Sequence, residues 1–255
     1  MLAIERSHAI MTILEQNGSA MVSDLSAQLG VTEETIRRDL IKLESSEKIC
    51  RVHGGAYLLR GGKRTVPVAL RRRFFVEEKR RMAQCCLSMI KERECIMLDC
   101  STTALVLAEA LKEAQRSLTV ITNSFEIVQT LGSCDFISLT CLGGTFRAES
   151  ASFHGHITLT DLQNLYADKA FISSSSVHLD FGITDHLESE AHIRSMMFAH
   201  SQERILVADN TKFDSVAAYK LADLAELSAV VTDTPLDERW QEAFDRLAVP
   251  LIVAP

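Results

Sequence analysis

Two short stretches of this sequence carry side chains spaced for recognition chemistry. The first is VTEETIRRDLIKLE (31–44). If 33–45 is helical, a 3.6-residue period buries Ile36, Leu40 and Leu43 and leaves Thr32, Glu34, Thr35, Arg37, Arg38 and Lys42 on the other faces. Small hydrogen-bonding residues at a helix N-terminus can meet base edges in a DNA major groove, and cations beyond them can reach guanine or phosphate. The same residues also suit a solvated helix with an ion pair such as Glu34–Arg38 at i,i+4. The helix alone leaves both readings open. RVHGGA (51–56) shifts the balance toward DNA: Arg51 and His53 can reach a phosphate or a minor groove, and Gly54 permits close backbone approach.

The second stretch is apolar CIML (95–98) running into Asp99-Cys100-Ser101-Thr102-Thr103. Hydroxyls of Ser101, Thr102 and Thr103 beside the free N–H groups of a helix start suit an anion such as phosphate. Simple N-capping by Ser101 or Thr102 is the plainer reading. Asp99 is acidic and suits sugar hydroxyls, or holding the loop, better than phosphate. Further loop residues follow other apolar runs: Thr122 and Asn123 after one, Gly143 and Gly144 after another, and Lys212, a full positive charge, after a third. HLDFGITDHLESEAHIR (178–194) adds Asp185 and Glu188 as weaker candidates for hydroxyls. Its histidines lack metal-site spacing such as H-E-x-x-H, and none of the seven cysteines forms C-x-x-C. No metal and no cofactor is expected.

These residues need elements to hold them. Ala3 to Asn17 has helical spacing at Ile4, Met11 and Leu14, and Asn17-Gly18 stops it. Ser23 is read as the N-cap of a short second helix carrying Leu25 and Leu29, turned at Gly30, with Thr32 capping the third. Two helices across a tight glycine turn make a helix-turn-helix. Residues 48–52 and 56–59 read as a two-stranded wing with glycines at its tip, and 60–66 as a linker. Beyond it, strands are expected at 95–98, 118–121, 136–142, 169–172, 204–208, 229–232 and 250–253, with helices such as 103–111 and 125–131 between them. That alternation predicts a mainly parallel sheet covered by helices, whose loops bind ligands at the strand carboxyl ends.

Composition bounds the class. The chain has 255 residues and a net charge of −7. Through Arg81 there are 15 Lys and Arg against 10 Asp and Glu, and beyond it 12 against 24. A basic front on an acidic body suits a nucleic-acid-binding module joined to something else. No apolar run approaches the roughly 18 residues a membrane span needs. Glu5 and Arg6 stand where a signal peptide needs an apolar core. The expected location is the cytoplasm, with no membrane partner and reduced thiols.

VTEETIRRDL followed by RVHGGA resembles the N-terminal signature of the DeoR family of bacterial transcription regulators. The resemblance continues through MLDCSTT (97–103), VITNS (120–124), LGG (142–144), FGIT (181–184) and VADNTKF (207–213). It implies a winged helix-turn-helix on an α/β sensor domain similar to the phosphosugar-isomerase and CoA-transferase fold, with a phosphorylated sugar or sugar-acid effector. The chain departs from the family's D-x-G-T-T pattern by carrying Ser101 where glycine is common.

The resulting division is 1–59 for the DNA-binding domain, 60–74 for the linker and 75–255 for the sensor. Two functions compete. One is a repressor that binds double-stranded operator DNA as a homo-oligomer and is released by a phosphorylated metabolite. The other is a sugar-phosphate isomerase, with a carboxylate as base. The helix-turn-helix and wing have no use in an isomerase, and that favours the regulator. DNA contacts are then expected from Ser23, Thr32, Glu34, Thr35, Arg37, Arg38, Lys42, Arg51, His53 and Gly54.

Overall fold

The computed structural model describes the whole chain except Met1, 46–48, His53, 59–67 and the side chain of Ala69. Two compact units divide it, Met1–Val76 and Glu77–Pro255.

The first unit is built on α1 (Ala3–Asn17), β1 (Ser19–Met21), α2 (Val22–Leu29), α3 (Glu33–Glu44), β2 (Ile49–Val52), β3 (Gly55–Leu58) and α4 (Val68–Arg73). Apolar residues at helical spacing meet in one core: Ile10 and Leu14 from α1, Leu25 from α2, Ile36 and Leu40 from α3, with Ile49 and Ala56 beneath. The wing has three strands in the order β1-β3-β2, all antiparallel. The expected two-stranded wing thus gains an edge strand that its three-residue length hid from periodicity. Gly55 is required at the seam: a Cβ there would sit 2.6 Å from the Ala20 carbonyl oxygen and 3.3 Å from Phe74.

Two expectations are corrected here. Ser23 does not cap α2. The helix begins at Val22 with Met21 in the cap position, and Ser23 is an exposed first-turn residue. The strand β1 runs straight into the helix, so extended Met21 takes the place a capping side chain would fill. The expected linker 60–74 also contains ordered structure, because Leu70 and Phe74 of the α4 region lie one helical turn apart and pack with Tyr57. Arginines between them mask that apolar pair in the sequence.

The second unit comprises α5 (Val76–Met89), β4 (Cys95–Leu98), α6 (Thr102–Ala114), β5 (Leu118–Thr122), α7 (Phe125–Leu131), β6 (Ile137–Cys141), β7 (Thr145–Arg147), β8 (Ser152–His154), α8 (His156–Leu162), β9 (Ala167–Ile172), β10 (Ser176–His178), β11 (Gly182–Asp185), α9 (Glu188–Ala199), β12 (Ser201–Val207), β13 (Tyr219–Ala222), β14 (Ala229–Thr232), α10 (Glu238–Leu247) and β15 (Leu251–Val253). Seven strands form a wholly parallel sheet, ordered β15-β14-β12-β9-β4-β5-β6. Side chains alternate across it. Ile96 and Leu98 face the core shared with α5, α6 and α7, while Met97 faces the core shared with α9 and α10. Burial on both faces explains why these strands read as unbroken apolar runs.

The chain runs β4, β5, β6 outward in one direction, then returns to β9 on the other side of β4. The crevice between β4 and β9 is therefore the topological switch point, where loops from adjacent strands diverge. Two small antiparallel sheets, β7-β8 and β10-β11-β13, decorate the unit. Their short strands left no periodic signal.

Candidate functional site

On α3 the N-terminal cap forms as the sequence predicts. Thr32 Oγ1 accepts from the Thr35 backbone N–H at 3.3 Å. Arg37 and Arg38 lie on the solvent side, bonded to Glu33 at 2.6 Å and Glu34 at 3.3 Å. All four side chains are about half exposed or more, so each pair is worth only about 0–1 kcal/mol and leaves the cations available. Lys42 is exposed as well. Arg51 is held by Glu44, at 2.7 Å from its Nε and 3.0 Å from its backbone N–H. Gly54 stands at the wing turn with φ of 81°. His53, read as a DNA contact, lies outside the described residues.

Sequence reading overlooked two features of this helix. Ile41 is 51% exposed beside Arg37 and Arg38, an apolar group suited to a thymine methyl. Asp39 is buried and bonded by Arg6, which pins α1 to α3. The acid was invisible as a core residue because charge is normally a surface marker.

In the second unit Asp99 and Asp185 meet in a packed polar cluster around Arg194. Asp99, Ser101, Thr102, Thr103, Thr122, Asn123 and Asp185 are all buried. Ser101 Oγ accepts from the Ala104 N–H at 3.0 Å, capping α6, and donates to Asp99 Oδ1 at 2.6 Å. Thr122 accepts from the Ser124 N–H. Asn123 Nδ2 donates to the Phe153 carbonyl at 3.0 Å, while its buried Oδ1 has no partner.

At the centre stands a residue the sequence did not flag as functional, Arg194 of α9. Its Nε donates to Asp99 at 2.6 Å, and its Nη1 donates to Asp185 at 2.8 Å and to Glu190 at 3.0 Å. Burial disfavours the guanidinium charge, but Asp185, Asp99 and Glu190 outweigh it and hold its pKa well above the usual range. Three carboxylates share this one cation, and complete burial pushes the Asp99 carboxyl up despite Arg194. Glu190 and Arg194 sit at i,i+4 on one helix, a spacing that would have identified the pair.

Cys100, His154 and Glu190 meet beside Arg194, with one donor atom from each within 4.8 Å of the others. Burial pushes the Cys100 thiol up to about 11. Burial, then the charge of Arg147, lowers the His154 pKa. His154 Nε2 is bonded by Ser152 at 2.7 Å and Ser150 at 3.2 Å.

Four expected site residues stand apart from this cluster. Glu188 is exposed at the start of α9 and makes none of the Arg194 bonds, since Glu190, two residues on, faces inward. Gly144 is tight against Thr158 and the His154 carbonyl, so its missing Cβ serves internal packing rather than ligand approach. Gly143 accepts from Thr158 at 2.6 Å. Lys212 lies half-buried on a short 3-10 turn after β12, and its ammonium makes no ion pair among the described residues. Two strand spacings separate β12 from β4, roughly 10 Å. An open cleft of about 370 Å³ lies at the opposite end of the sheet, among Cys95, Tyr166, Asp168 and His200. Among the described residues, no helix is long and apolar enough to cross a membrane.

Comparison with known proteins completes the description. The family model for the DeoR-like helix-turn-helix domain matches residues 6–60, and that for the DeoR C terminal sensor domain matches residues 75–234. An uncharacterized HTH-type transcriptional regulator of Bacillus subtilis (strain 168), YulB, is 34% identical over 100% of this chain and 98% of its own. The HTH-type transcriptional repressor GlcR of the same organism is 30% identical over 98% of this chain and 95% of its own. The lactose phosphotransferase system repressor of Lactococcus lactis subsp. lactis is 28% identical over 94% and 95%.

Proposed function

The chain belongs to the DeoR family of DNA-binding transcription regulators, and from that premise we propose that it represses a carbohydrate or sugar-acid catabolic operon until a phosphorylated metabolite releases it. It is a regulator, not an enzyme. Two relatives, the transcriptional repressor GlcR and the lactose phosphotransferase system repressor, support the sign of regulation, and the second supports the sugar connection.

The observation that carries the effector reading is the loop Asp99–Thr103 at the switch point between β4 and β9. Thr102 and Thr103 are the first residues of a 13-residue helix and have no intrahelical acceptor for their N–H groups. Those donors and the helix dipole suit a phosphate. Lys212 supplies a full charge from a second post-strand loop. The carboxylates of Asp99 and Asp185, and the unmatched Asn123 Oδ1, are acceptors suited to sugar hydroxyls. Because the cluster is closed, entry requires these loops to part, which supplies the two states that coupling to DNA needs. On the DNA side we assign α3 and the wing to the operator, and a homo-oligomer to repeated half-sites, since one small module gives limited affinity.

The test is operator release followed by gel shift, with sugar phosphates and their dephosphorylated analogues titrated into the parent and Lys212→Ala proteins. The parent should release only with a phosphorylated compound. Lys212→Ala should hold DNA normally but need at least about ten times more ligand, as loss of a charge-assisted contact worth about 1.5–3 kcal/mol requires. Equal release by the dephosphorylated analogue, or an unchanged response in Lys212→Ala, would refute the phosphate assignment.

A further inference from the structure

We propose that Cys100, His154 and Glu190 bind a divalent transition-metal cation, with zinc(II) the best fit. The three residues come from separate segments, the loop after β4, the end of β8 and the first turn of α9. No spacing motif could have joined them. The fold brings a thiol, an imidazole and a carboxylate together with their donor atoms within 4.8 Å of one another. Tetrahedral zinc with ordinary bond lengths sets such atoms roughly 3.3–3.8 Å apart. A contraction of about 1 Å therefore converts the cluster into a coordination sphere.

A further observation points to a cation. His154 is only 4% exposed, yet its Nδ1 has no hydrogen-bond partner. The Ser189 backbone lies near the ring without hydrogen-bond geometry. A buried imidazole nitrogen left unmatched is costly. With Nδ1 on a metal, the Nε2–H donates to Ser152 at 2.7 Å, the outer-shell bond that fixes the tautomer of a ligating histidine.

The donor set selects the metal. A thiolate with an imidazole and a carboxylate favours zinc over magnesium or calcium, which take oxygen ligands. The Cys100 thiol gives its proton to solvent on binding. Three protein ligands leave a fourth position open. The site does not depend on an effector, and the metal alone tests it.

The experiment is titration of the chelator-stripped full-length protein with zinc(II) and cobalt(II), with X-ray absorption on the zinc-loaded chain. One equivalent should bind, with a single sulfur in a shell otherwise of nitrogen and oxygen. The cobalt form should show near-ultraviolet thiolate-to-metal absorption. Cys100→Ser and His154→Gln should each weaken zinc binding by more than about 100-fold, while Cys141→Ser, at an exposed thiol, should leave it unchanged. Failure to bind one equivalent, a sulfur-free or all-sulfur shell, or unchanged affinity in both ligand variants overturns the assignment. If a variant does not fold, the absorption spectrum of the unaltered chain decides alone.

Discussion

Arg194 donates from Nε to Asp99 Oδ2 at 2.6 Å across 95 positions of chain, and thereby ties α9 to the loop that ends β4. The tie is electrostatic and fully enclosed. Removing the cation leaves Asp99, Asp185 and Glu190 buried and facing one another. Arg194→Met should therefore destabilise the protein by about 3–5 kcal/mol, the cost of breaking a buried pair from one side. Arg194→Lys should lie between, because an ammonium cannot reproduce the fork that spans Asp99 and Asp185. Urea denaturation followed by tryptophan fluorescence reads this directly, since Trp240 is buried in the same unit. A loss below about 1 kcal/mol in Arg194→Met would show that the carboxylates do not depend on it.

The reading helix gives a second prediction. Arg37 and Arg38 are exposed and held only by surface partners, so their loss should leave thermal stability within about 0.5 kcal/mol. Operator affinity should fall by about 1–3 kcal/mol for an arginine that reads a base, and the salt slope should flatten by about one for each that contacts phosphate. Binding isotherms at several salt concentrations separate the two roles. Unchanged affinity and slope in the double alanine variant would remove α3 from the interface.

Gly55 carries a third. Its α-carbon lies against the Ala20 carbonyl, where β3 pairs with β1. A methyl group there needs backbone movement rather than a rotamer change. Gly55→Ala should destabilise the first unit by about 1–3 kcal/mol, as overpacking does, and weaken operator binding while effector binding in the second unit persists. Hydrogen exchange across 19–21 and 55–58 should accelerate. Unchanged exchange there would show that the seam has room to spare.

How much of this was legible in the sequence follows from the range of each interaction. The α3 face and its Thr32 cap are set within four residues, and both read correctly. Strands β4, β5, β9, β12 and β14 were found because burial on both faces makes them continuous apolar runs. The three-residue strands β1, β7 and β8 were not, since one period of alternation is no signal. The loop Asp99–Thr103 was found from local chemistry, but its partner Arg194 was not, because nothing local joins positions so far apart. Glu188 was chosen over Glu190 for the same reason: acidity is visible in a sequence, whereas helix phase against a distant loop is not.

The last prediction concerns acid. Lys169 of β9 is bonded to Glu94 at 2.5 Å and lies 3.4 Å from Glu203, with the Lys169 and Glu94 side chains 4% and 13% exposed. Burial would raise the Glu94 pKa, but Lys169 overrides it and holds the carboxyl below its usual 4.5. A carboxyl depressed in the folded state contributes stability that is complete above the unfolded value and is lost as pH falls through the folded one. The parent should therefore weaken as pH drops below about 4.5. In Lys169→Met burial is opposed only by the Lys91 backbone N–H, at 2.9 Å, and the Lys91 charge, so the depression of the Glu94 pKa shrinks and less stability is lost in acid. The deficit of Lys169→Met against the parent should be about 3–5 kcal/mol near neutrality. In acid, where Glu94 is neutral in both proteins, it should shrink or change sign. Denaturation midpoints of the two proteins from pH 3 to pH 7 test this, over a window set by the carboxylate range. A difference between them that is constant with pH would mean that Lys169 stabilises by packing its methylenes, and that its charge is irrelevant to Glu94.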